Sequence, residues 1–170
     1  MQKNMEGGES RTQVEALVED EFQKAYEATR HERYSEAESY ILDENGDARP
    51  IFDHNLNHAW YTVGDIRYKK GDFKGAKNAF SKSVEYDMED FDAWLALGNA
   101  LTDFGDFREA EACFRIMVRF SSNADVARFN LAGVLMDQEE YKAAEEILSR
   151  LPQSESVERN LSICRQELAT

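Results

Sequence analysis

Seven residues in the middle of the chain recur after a fixed interval of 34 positions. The recurring pairs are Trp60 and Trp94, Gly64 and Gly98, Gly71 and Gly105, Asp72 and Asp106, Phe73 and Phe107, Ala76 and Ala110, and Phe80 and Phe114. Self-similarity at one period over this many positions indicates an internal structural repeat. Since one such repeat is too small to bury its own apolar face, neighbouring repeats must stack and share a core.

The residue types within one period predict two helices joined by a tight turn. Trp60 starts an apolar face that has helical spacing. Gly71 lies where the first helix must stop, and Asp72 follows it as a natural N-cap for the second helix. Gly98 is predicted to lie where the two helices of its repeat touch, so a larger side chain there would overpack the contact. Gly133, by contrast, is predicted to tolerate alanine better.

A period of 34 that carries W-x2-L-G and then A-x3-F resembles the tetratricopeptide repeat (TPR). The best copy of the first motif is Trp94-Leu95-Ala96-Leu97-Gly98, and Ala76 and Phe80 carry one copy of the second. The resemblance implies an all-α fold, a right-handed α-solenoid of antiparallel helix hairpins that form a TPR-like superhelix. Every apolar pattern in the chain has the helical period and none alternates, so about eight helices are expected.

The resemblance is specific over residues 57–150 and loose towards both ends. In chain order, we predict a disordered N-terminus (1–10), a degenerate TPR-like hairpin (11–42), a connecting insertion (43–56), three TPRs (57–90, 91–124 and 125–152) and a closing helix (155–170). The first helix should begin at Ser10, which has capping-box spacing to Gln13. Ile51 and Phe52 of the insertion are expected to fold back onto the core.

Charge and cysteine content restrict the possible partners and the compartment. A formal net charge of −14 disfavours nucleic acid and anionic membrane surfaces and favours basic or apolar partners. Residues 1–10 are polar, unlike a secretory signal, and no apolar run has the length of a membrane span. Cys113 and Cys164 fall on apolar helix faces and are predicted to be buried, so a cytoplasmic location is expected.

Two groups of residues contain metal-binding side chains, but neither has the full spacing of a metal site. His54 and His58 are four positions apart, and no second pair of ligands completes a zinc site. In the turn from Asp43 to Asp47, glycine comes too early for a calcium-binding loop. No phosphate-binding loop and no Ser-His-Asp set stands out. We therefore expect no catalytic residues, no metal and no cofactor, and the chain is not expected to be an enzyme.

The resemblance implies a concave groove that is lined by the first helix of each repeat. The predicted groove residues are Tyr61, Asp65, Tyr68 and Lys69 from the first repeat, Leu95, Asn99, Thr102 and Asp103 from the second, and Phe129, Asn130 and Met136 from the third; His58, Thr62 and Asp92 belong to the wider lining. Apolar side chains beside carboxylates predict a partner segment that is apolar, basic or both. The alternative is that the last helix or residues 1–10 cover Phe129 and Met136.

The main functional hypothesis is a protein–protein interaction module, a scaffold or adaptor that binds a peptide segment of its partner. Some TPR co-chaperones grip a terminal carboxylate with basic and Asn places, but Leu95 and Ser156 stand where that clamp needs lysine. A second hypothesis is a chaperone-like TPR protein that holds an apolar client segment, as in the small acidic chaperones of type III secretion. A third is a homo-oligomer that associates through convex or terminal helices.

Overall fold

The computed structural model describes residues 6–121 and 124–169, and within those ranges it contains nine α-helices, one short 3-10 helix and no strand. The α-helices are α1 (Glu6–Arg30), α2 (Tyr34–Ile41), α3 (Leu56–Lys69), α4 (Phe73–Tyr86), α5 (Phe91–Phe104), α6 (Phe107–Phe120), α7 (Asp125–Asp137), α8 (Tyr141–Leu148) and α9 (Glu155–Leu168), and the 3-10 helix is Pro50–Phe52. The predicted all-α repeat fold is confirmed, with one helix more than the eight expected.

The first helix begins earlier than predicted. The capping-box spacing placed its start at Ser10, whereas α1 begins at Glu6. Once a helix exists, each added residue gains a backbone hydrogen bond, so a local cap signal need not end it. The segment 1–10 that was predicted to be disordered therefore overlaps α1 at residues 6–10, and residues 1–5 lie outside the described residues.

The chain divides into two compact units, residues 1–87 and residues 88–170. Unit 1 contains α1 to α4, and unit 2 contains α5 to α9. In unit 1, α1 packs on α2 and α3, and α3 packs on α4. In unit 2, the contacts run from α5 to α6, α6 to α7, α7 to α8 and α8 to α9, with further contacts from α5 to α7 and from α7 to α9. Each unit is thus a stack of helix hairpins, which is how such repeats bury their apolar faces.

The connecting insertion of unit 1 is an ordered turn. The Asp43 carboxylate accepts hydrogen bonds from the backbone N–H groups of Asn45 at 2.8 Å and Asp47 at 3.0 Å, which satisfies the polar backbone of the turn. Phe52 then folds back into the core as expected: it is fully buried, and its ring centroid lies 4.9 Å from that of Phe22 on α1.

An ion pair joins the same insertion to the first helix. Arg49 donates to the Glu21 carboxylate and, at 2.7 Å, to the backbone carbonyl of Tyr40. Burial by itself would raise the pKa of Glu21, but the hydrogen bonds and charges of Arg49 and Lys24 outweigh it, so the pKa is lowered. Glu21 therefore fixes the insertion to α1 through an ion pair.

The recurring glycines lie where the helices of a hairpin approach most closely, as predicted. A Cβ atom added at Gly64 would come within 2.5 Å of the Phe80 ring, and one at Gly98 within 2.6 Å of the Phe114 ring. At Gly133, no atom would lie within 4 Å of an added Cβ atom. Each recurring phenylalanine therefore fills the position of the side chain that the recurring glycine lacks.

The predicted helix ends are also found at the repeat turns. Gly71 and Gly105 have φ values of +82° and +94°, a conformation that glycine adopts without steric cost. Asp72 is the N-cap of α4, and its carboxylate accepts from the Gly75 N–H at 2.9 Å. Asp106 occupies the equivalent N-cap position of α6 without a side-chain capping hydrogen bond, so only the first of the two caps is complete.

Candidate functional site

The eleven predicted groove residues lie on the first helices of the three repeats, and none of them is buried. Tyr61, Asp65, Tyr68 and Lys69 lie on α3 in unit 1; Leu95, Asn99, Thr102 and Asp103 lie on α5 and Phe129, Asn130 and Met136 on α7 in unit 2. We refer to these two sets as the inner face of unit 1 and the inner face of unit 2.

Aromatic rings dominate the inner face of unit 1. His58 packs edge-on against Phe22, with centroids 4.4 Å apart, and its ring is nearly parallel to that of Tyr61 at 6.4 Å. Tyr26 of α1 shares a 3.0 Å hydrogen bond with Nε2 of His58. The helix of the degenerate hairpin therefore contributes to this face through Tyr26, which the sequence reasoning did not include. The predicted TPR-like hairpin over residues 11–42 makes α1 a first helix, so groove places carried onto α1 would have included Tyr26.

The far end of the inner face of unit 1 carries a local ion pair. Lys69 contacts the Asp65 carboxylate at 2.7 Å one turn earlier, and Tyr68 packs edge-on against Phe73 with centroids 5.4 Å apart. Thr62, assigned to the wider lining, is instead fully buried and donates to the backbone carbonyl of His58 at 2.9 Å. That assignment is wrong because the Thr62 hydroxyl finds its acceptor within its own helix and can enter the core.

The inner face of unit 2 joins two neighbouring first helices through side-chain amides. The amide of Asn130 on α7 donates to the Asn99 carbonyl oxygen on α5 at 3.4 Å. Thr102 donates to the backbone carbonyl of Gly98 at 2.9 Å, so this hydroxyl is already engaged within its own helix. Phe129 and Met136 are half-buried, which shows that α9 does not fully cover them. Whether residues 1–5 cover them lies outside the described residues.

Two carboxylates approach each other at the end of this face. Asp103 precedes the last residue of α5, and Asp137 is the last residue of α7. Local burial, and secondarily the charge of Asp103, raise the pKa of Asp137 above its ordinary value, although its side chain is exposed overall. A cation at this end of the helices would relieve that repulsion.

The closing helix adds residues that the predicted site lacked. Asn160, Ile163 and Glu167 on α9 stand at the repeat places of Asn130, Gly133 and Asp137, an equivalence indicated by the echo of Asn130-Leu131 in Asn160-Leu161. Ile163 is 40% exposed. The echo recurs at a spacing of 30 rather than 34 because the preceding loop is shorter, so the sequence predicts only a closing helix here.

The candidate metal-binding groups have other roles or positions in the structure. His58 faces Tyr26, His54 borders an open cleft beside α1, and Asp43 caps its own turn. Within the described residues, no group of three or more His, Cys, Asp or Glu side chains is placed to hold a metal ion. Over the same residues, no helix combines the length and the apolar character needed to cross a membrane.

Solved structures with low sequence identity share the fold. A structure of MamA from AMB-1 has a TM-score of 0.67 and 13% identity over 91% of this chain and 84% of that chain. MamA from MSR-1 gives a TM-score of 0.68 and 16% identity, with 89% and 87% of the two chains covered. YrrB, a TPR protein described as having an unusual peptide-binding site, gives 0.65 and 17% identity, with 88% and 76% covered. No curated protein sequence matches this chain.

A family description of the tetratricopeptide repeat matches the sequence directly. Its two overlapping matches cover residues 61–125 and 95–156, together more than half of the chain. They include the recurring Gly98 and Phe114, whose close contact the structure explains. The chain therefore belongs to the tetratricopeptide repeat family.

Proposed function

We propose that this chain is an adaptor that binds a peptide segment of a partner protein on the inner faces of its first helices. The family and the fold are those of protein-interaction scaffolds. YrrB, which has the same fold, is described as having a peptide-binding site. These likenesses support binding in general, and the choice of surface rests on the residues of this chain.

The observation that carries the proposal is the contrast between the two sides of the repeat helices. All eleven inner-face residues keep at least part of their side chains accessible, although they include Tyr61, Tyr68, Leu95, Phe129 and Met136. The apolar residues on the opposite side of the same helices, such as Val63, Leu97 and Leu131, are buried. Accessible apolar groups gathered on one side of a helix stack are typical of an interaction site.

The chemistry of the inner faces favours a partner segment that combines apolar and basic residues. Burial of Leu95, Phe129 and Met136 would supply most of the affinity. Carboxylates such as Asp103 and Asp137 would accelerate the approach of a basic partner and disfavour an acidic one. Binding of this kind needs no catalytic group or cofactor, in keeping with a role as a non-enzymatic adaptor.

Alanine substitutions with matched controls test this proposal. The probes are peptides selected on the wild-type chain from a random displayed library. Tyr68→Ala and Phe129→Ala should each weaken peptide binding by about 1–3 kcal/mol, because aromatic anchors carry a large share of binding energy. The controls are Tyr86→Ala in unit 1 and Phe120→Ala in unit 2, which are 56% and 63% exposed at the ends of α4 and α6. They should leave binding unchanged.

Melting temperatures separate a binding role from a packing role. Tyr68→Ala should cost about 1 kcal/mol of stability or less through its edge contact with Phe73, and Phe129→Ala about as little. Weaker binding without a matching loss of stability supports the proposal. If the stability of each variant falls in step with its binding, these aromatics are core residues and the assignment of the inner faces is wrong.

We also propose that the chain works in the cytoplasm. Cys113 and Cys164 are buried free thiols. Burial, and then the charge of Glu109, raise the pKa of Cys113 to about 11, which keeps the thiol protonated and unreactive near neutral pH. Such cysteines are typical of proteins in a reducing compartment. Fractionation of the source cells with an antibody against the chain would test this location.

A further inference from the structure

A short stretch of unit 1 has a charge opposite to that of the chain as a whole. Residues 67–82 contain six of the chain's 20 lysines and arginines and a single acidic residue, Asp72, although the chain has a formal net charge of −14. The stretch forms the end of α3, the turn after it and most of α4, and these two helices pack on each other. The six cations are Arg67, Lys69, Lys70, Lys74, Lys77 and Lys82.

Two lysines of this stretch have no anionic partner within the protein. Arg67 and Lys69 pair with carboxylates of their own unit at 3.1 Å and 2.7 Å, so these cations are already engaged. Lys70, at the end of α3, and Lys74, in the first turn of α4, are exposed. Among the described residues, neither of them has a carboxylate within ion-pair distance. Their charges are therefore available to another molecule.

A stripe of exposed polar residues continues along α4 from Lys74. Lys74, Asn78 and Lys82 follow at intervals of four residues, which places them on one side of the helix, and all three are exposed. The ammonium group of Lys82 lies 3.6 Å from the centroid of the Trp60 ring, which holds it at the surface. A helix rises about 1.5 Å per residue, so the two lysines are about 12 Å apart along the axis. We refer to Lys70, Lys74, Asn78 and Lys82 as the basic patch.

The repeat fold does not require this pattern of charge. In unit 2, α6 is the equivalent second helix, and 34 residues after Lys77 it carries Glu111, which pairs with Arg115 at 2.6 Å. At the place of Lys82, α6 carries an isoleucine. The only carboxylate of α4 is Glu85, in its last turn. The equivalent helix thus offsets part of its positive charge internally, whereas α4 keeps an excess that its packing does not use.

Charge complementarity favours a short acidic protein segment as the ligand of the basic patch. Charges more than about 8 Å apart are largely screened at physiological ionic strength, so a short segment would interact mainly with the nearby lysines. A nucleic acid or an anionic membrane would extend beyond the patch and meet the acidic remainder of the chain. The spacing of about 12 Å corresponds to about four residues of an extended segment at about 3.3 Å per residue. The best match is therefore a segment with carboxylates about four residues apart.

We propose that the basic patch binds an acidic segment of a second partner protein, with carboxylates on Lys74 and Lys82 and a hydrogen bond from the Asn78 amide between them. This inference goes beyond the proposed function and does not rest on it. The patch lies on a second helix and its ligand is acidic, whereas the inner faces lie on first helices and favour apolar and basic segments. Together, the two surfaces would let one chain join two partners of different chemistry.

Removal of charge from the patch, with a matched control, gives the first test. The probes are peptides selected on the wild-type chain from a displayed library in which half of the positions are aspartate or glutamate. The variant Lys70→Gln, Lys74→Gln removes the two unpaired charges. The control Arg108→Gln, Lys142→Gln makes the same change in net charge at exposed positions of α6 and α8.

Insertion of a carboxylate into the patch gives the second test. Asn78→Glu places a negative charge one turn from each of Lys74 and Lys82, where it can pair with them and compete with the ligand. The control is Ala112→Glu, at the exposed position of α6 that follows Asn78 by 34 residues. In fluorescence anisotropy, a selected acidic peptide should bind both α4 variants about tenfold more weakly or worse, and both controls within about twofold of the wild type.

Melting temperatures of the variants separate binding from packing. All the substituted side chains are exposed, so each variant should melt close to the wild type. Melting temperatures of the α4 variants that fall in step with their binding would show that these side chains are structural, which overturns the proposal.

The remaining outcomes also distinguish the possible ligands. Failure to select an acidic peptide, or equal binding to the wild type and both α4 variants, overturns the proposal. Equal weakening in the controls shows that only net charge matters, which overturns it too. Binding of a single-stranded oligonucleotide that Lys70→Gln, Lys74→Gln abolishes would assign the patch to nucleic acid. Dimerisation in sedimentation that the same variant abolishes would assign it to a second copy of this chain. None of these results decides whether the inner faces bind a partner.

Discussion

At the scale of single residues, each hairpin depends on a large side chain on its second helix that packs against a glycine on its first helix. Phe80 and Phe114 project into the places where Gly64 and Gly98 lack a side chain. Both phenylalanines are almost completely buried, so they can move little without opening the core. Gly133 has open space around it, although it lies on a first helix like the other two glycines. The same substitution, glycine to alanine, can therefore be compared at a crowded position, Gly98, and at an open one, Gly133.

We predict opposite effects for Gly98→Ala and Gly133→Ala. The new Cβ at position 98 would lie 2.6 Å from the Phe114 ring, and the forced shift should cost about 1–3 kcal/mol of stability. At position 133 the new methyl group meets no atom within 4 Å, so the better helix propensity of alanine should stabilise the chain by about 0.5–1 kcal/mol. Urea unfolding followed by circular dichroism measures both changes. Equal effects at the two positions would show that the repeat register is wrong.

At the scale of elements, the insertion between α2 and α3 belongs to the core of unit 1. Asp43 satisfies the backbone of the turn, Arg49 joins it to α1, and the fully buried Phe52 anchors it beside Phe22. The additional residues that break the 34-residue period here are thus not a free loop. They provide apolar cover for the first helix, which the short α2 alone does not supply.

We expect Phe52→Ala to destabilise the chain strongly. Removal of a fully buried phenylalanine leaves a cavity and should cost about 3–5 kcal/mol in the free energy of unfolding. His54→Ala, two positions later at an exposed site, is the control and should change stability by about 0.5 kcal/mol or less. Denaturant unfolding of the two variants compares them. A small effect of Phe52→Ala would mean that the insertion does not contribute to the core.

The sequence predicted most reliably what recurs with the repeat. Gly98, Gly71 and Phe114 could be placed because a fixed period ties each residue to a known position in a hairpin. Residues that depend on contacts between non-repeated segments were missed. Tyr26 contacts His58 because α1 packs on α3, and the degenerate repeat of residues 11–42 marks that place only weakly.

The predicted start of α1 and the predicted exposure of Thr62 differ from the structure for related reasons. The cap signal at Ser10 describes a local preference, and the structure continues the helix to Glu6. The place of Thr62 in the repeat suggested the inner face, but its hydroxyl bonds to the carbonyl of His58 and the side chain is buried. A sequence pattern assigns a residue to a side of a helix more securely than it assigns the exposure of that residue.

At the scale of the whole molecule, the chain is an acidic helical-repeat protein with two compact units, each with its own inner face. Unit 1 offers mainly aromatic rings on α1 and α3, and unit 2 offers apolar side chains, paired amides and the neighbouring carboxylates of Asp103 and Asp137. The net charge of −14 favours positively charged partners over nucleic acid for the molecule as a whole. The division of properties between the units predicts that basic residues of a partner are recognised on unit 2.

The central claim, that the inner faces of the first helices bind the partner, is tested most directly by mapping amide chemical shifts. A ¹⁵N-labelled wild-type chain would be titrated with a peptide selected from a random displayed library. We predict that the largest shift changes occur on the first helices α3, α5 and α7, at and around Tyr61, Tyr68, Leu95, Asn99 and Phe129, with little change on α4, α6 and α8. Changes concentrated on α4, α6 and α8, with the inner faces unaffected, would contradict the claim.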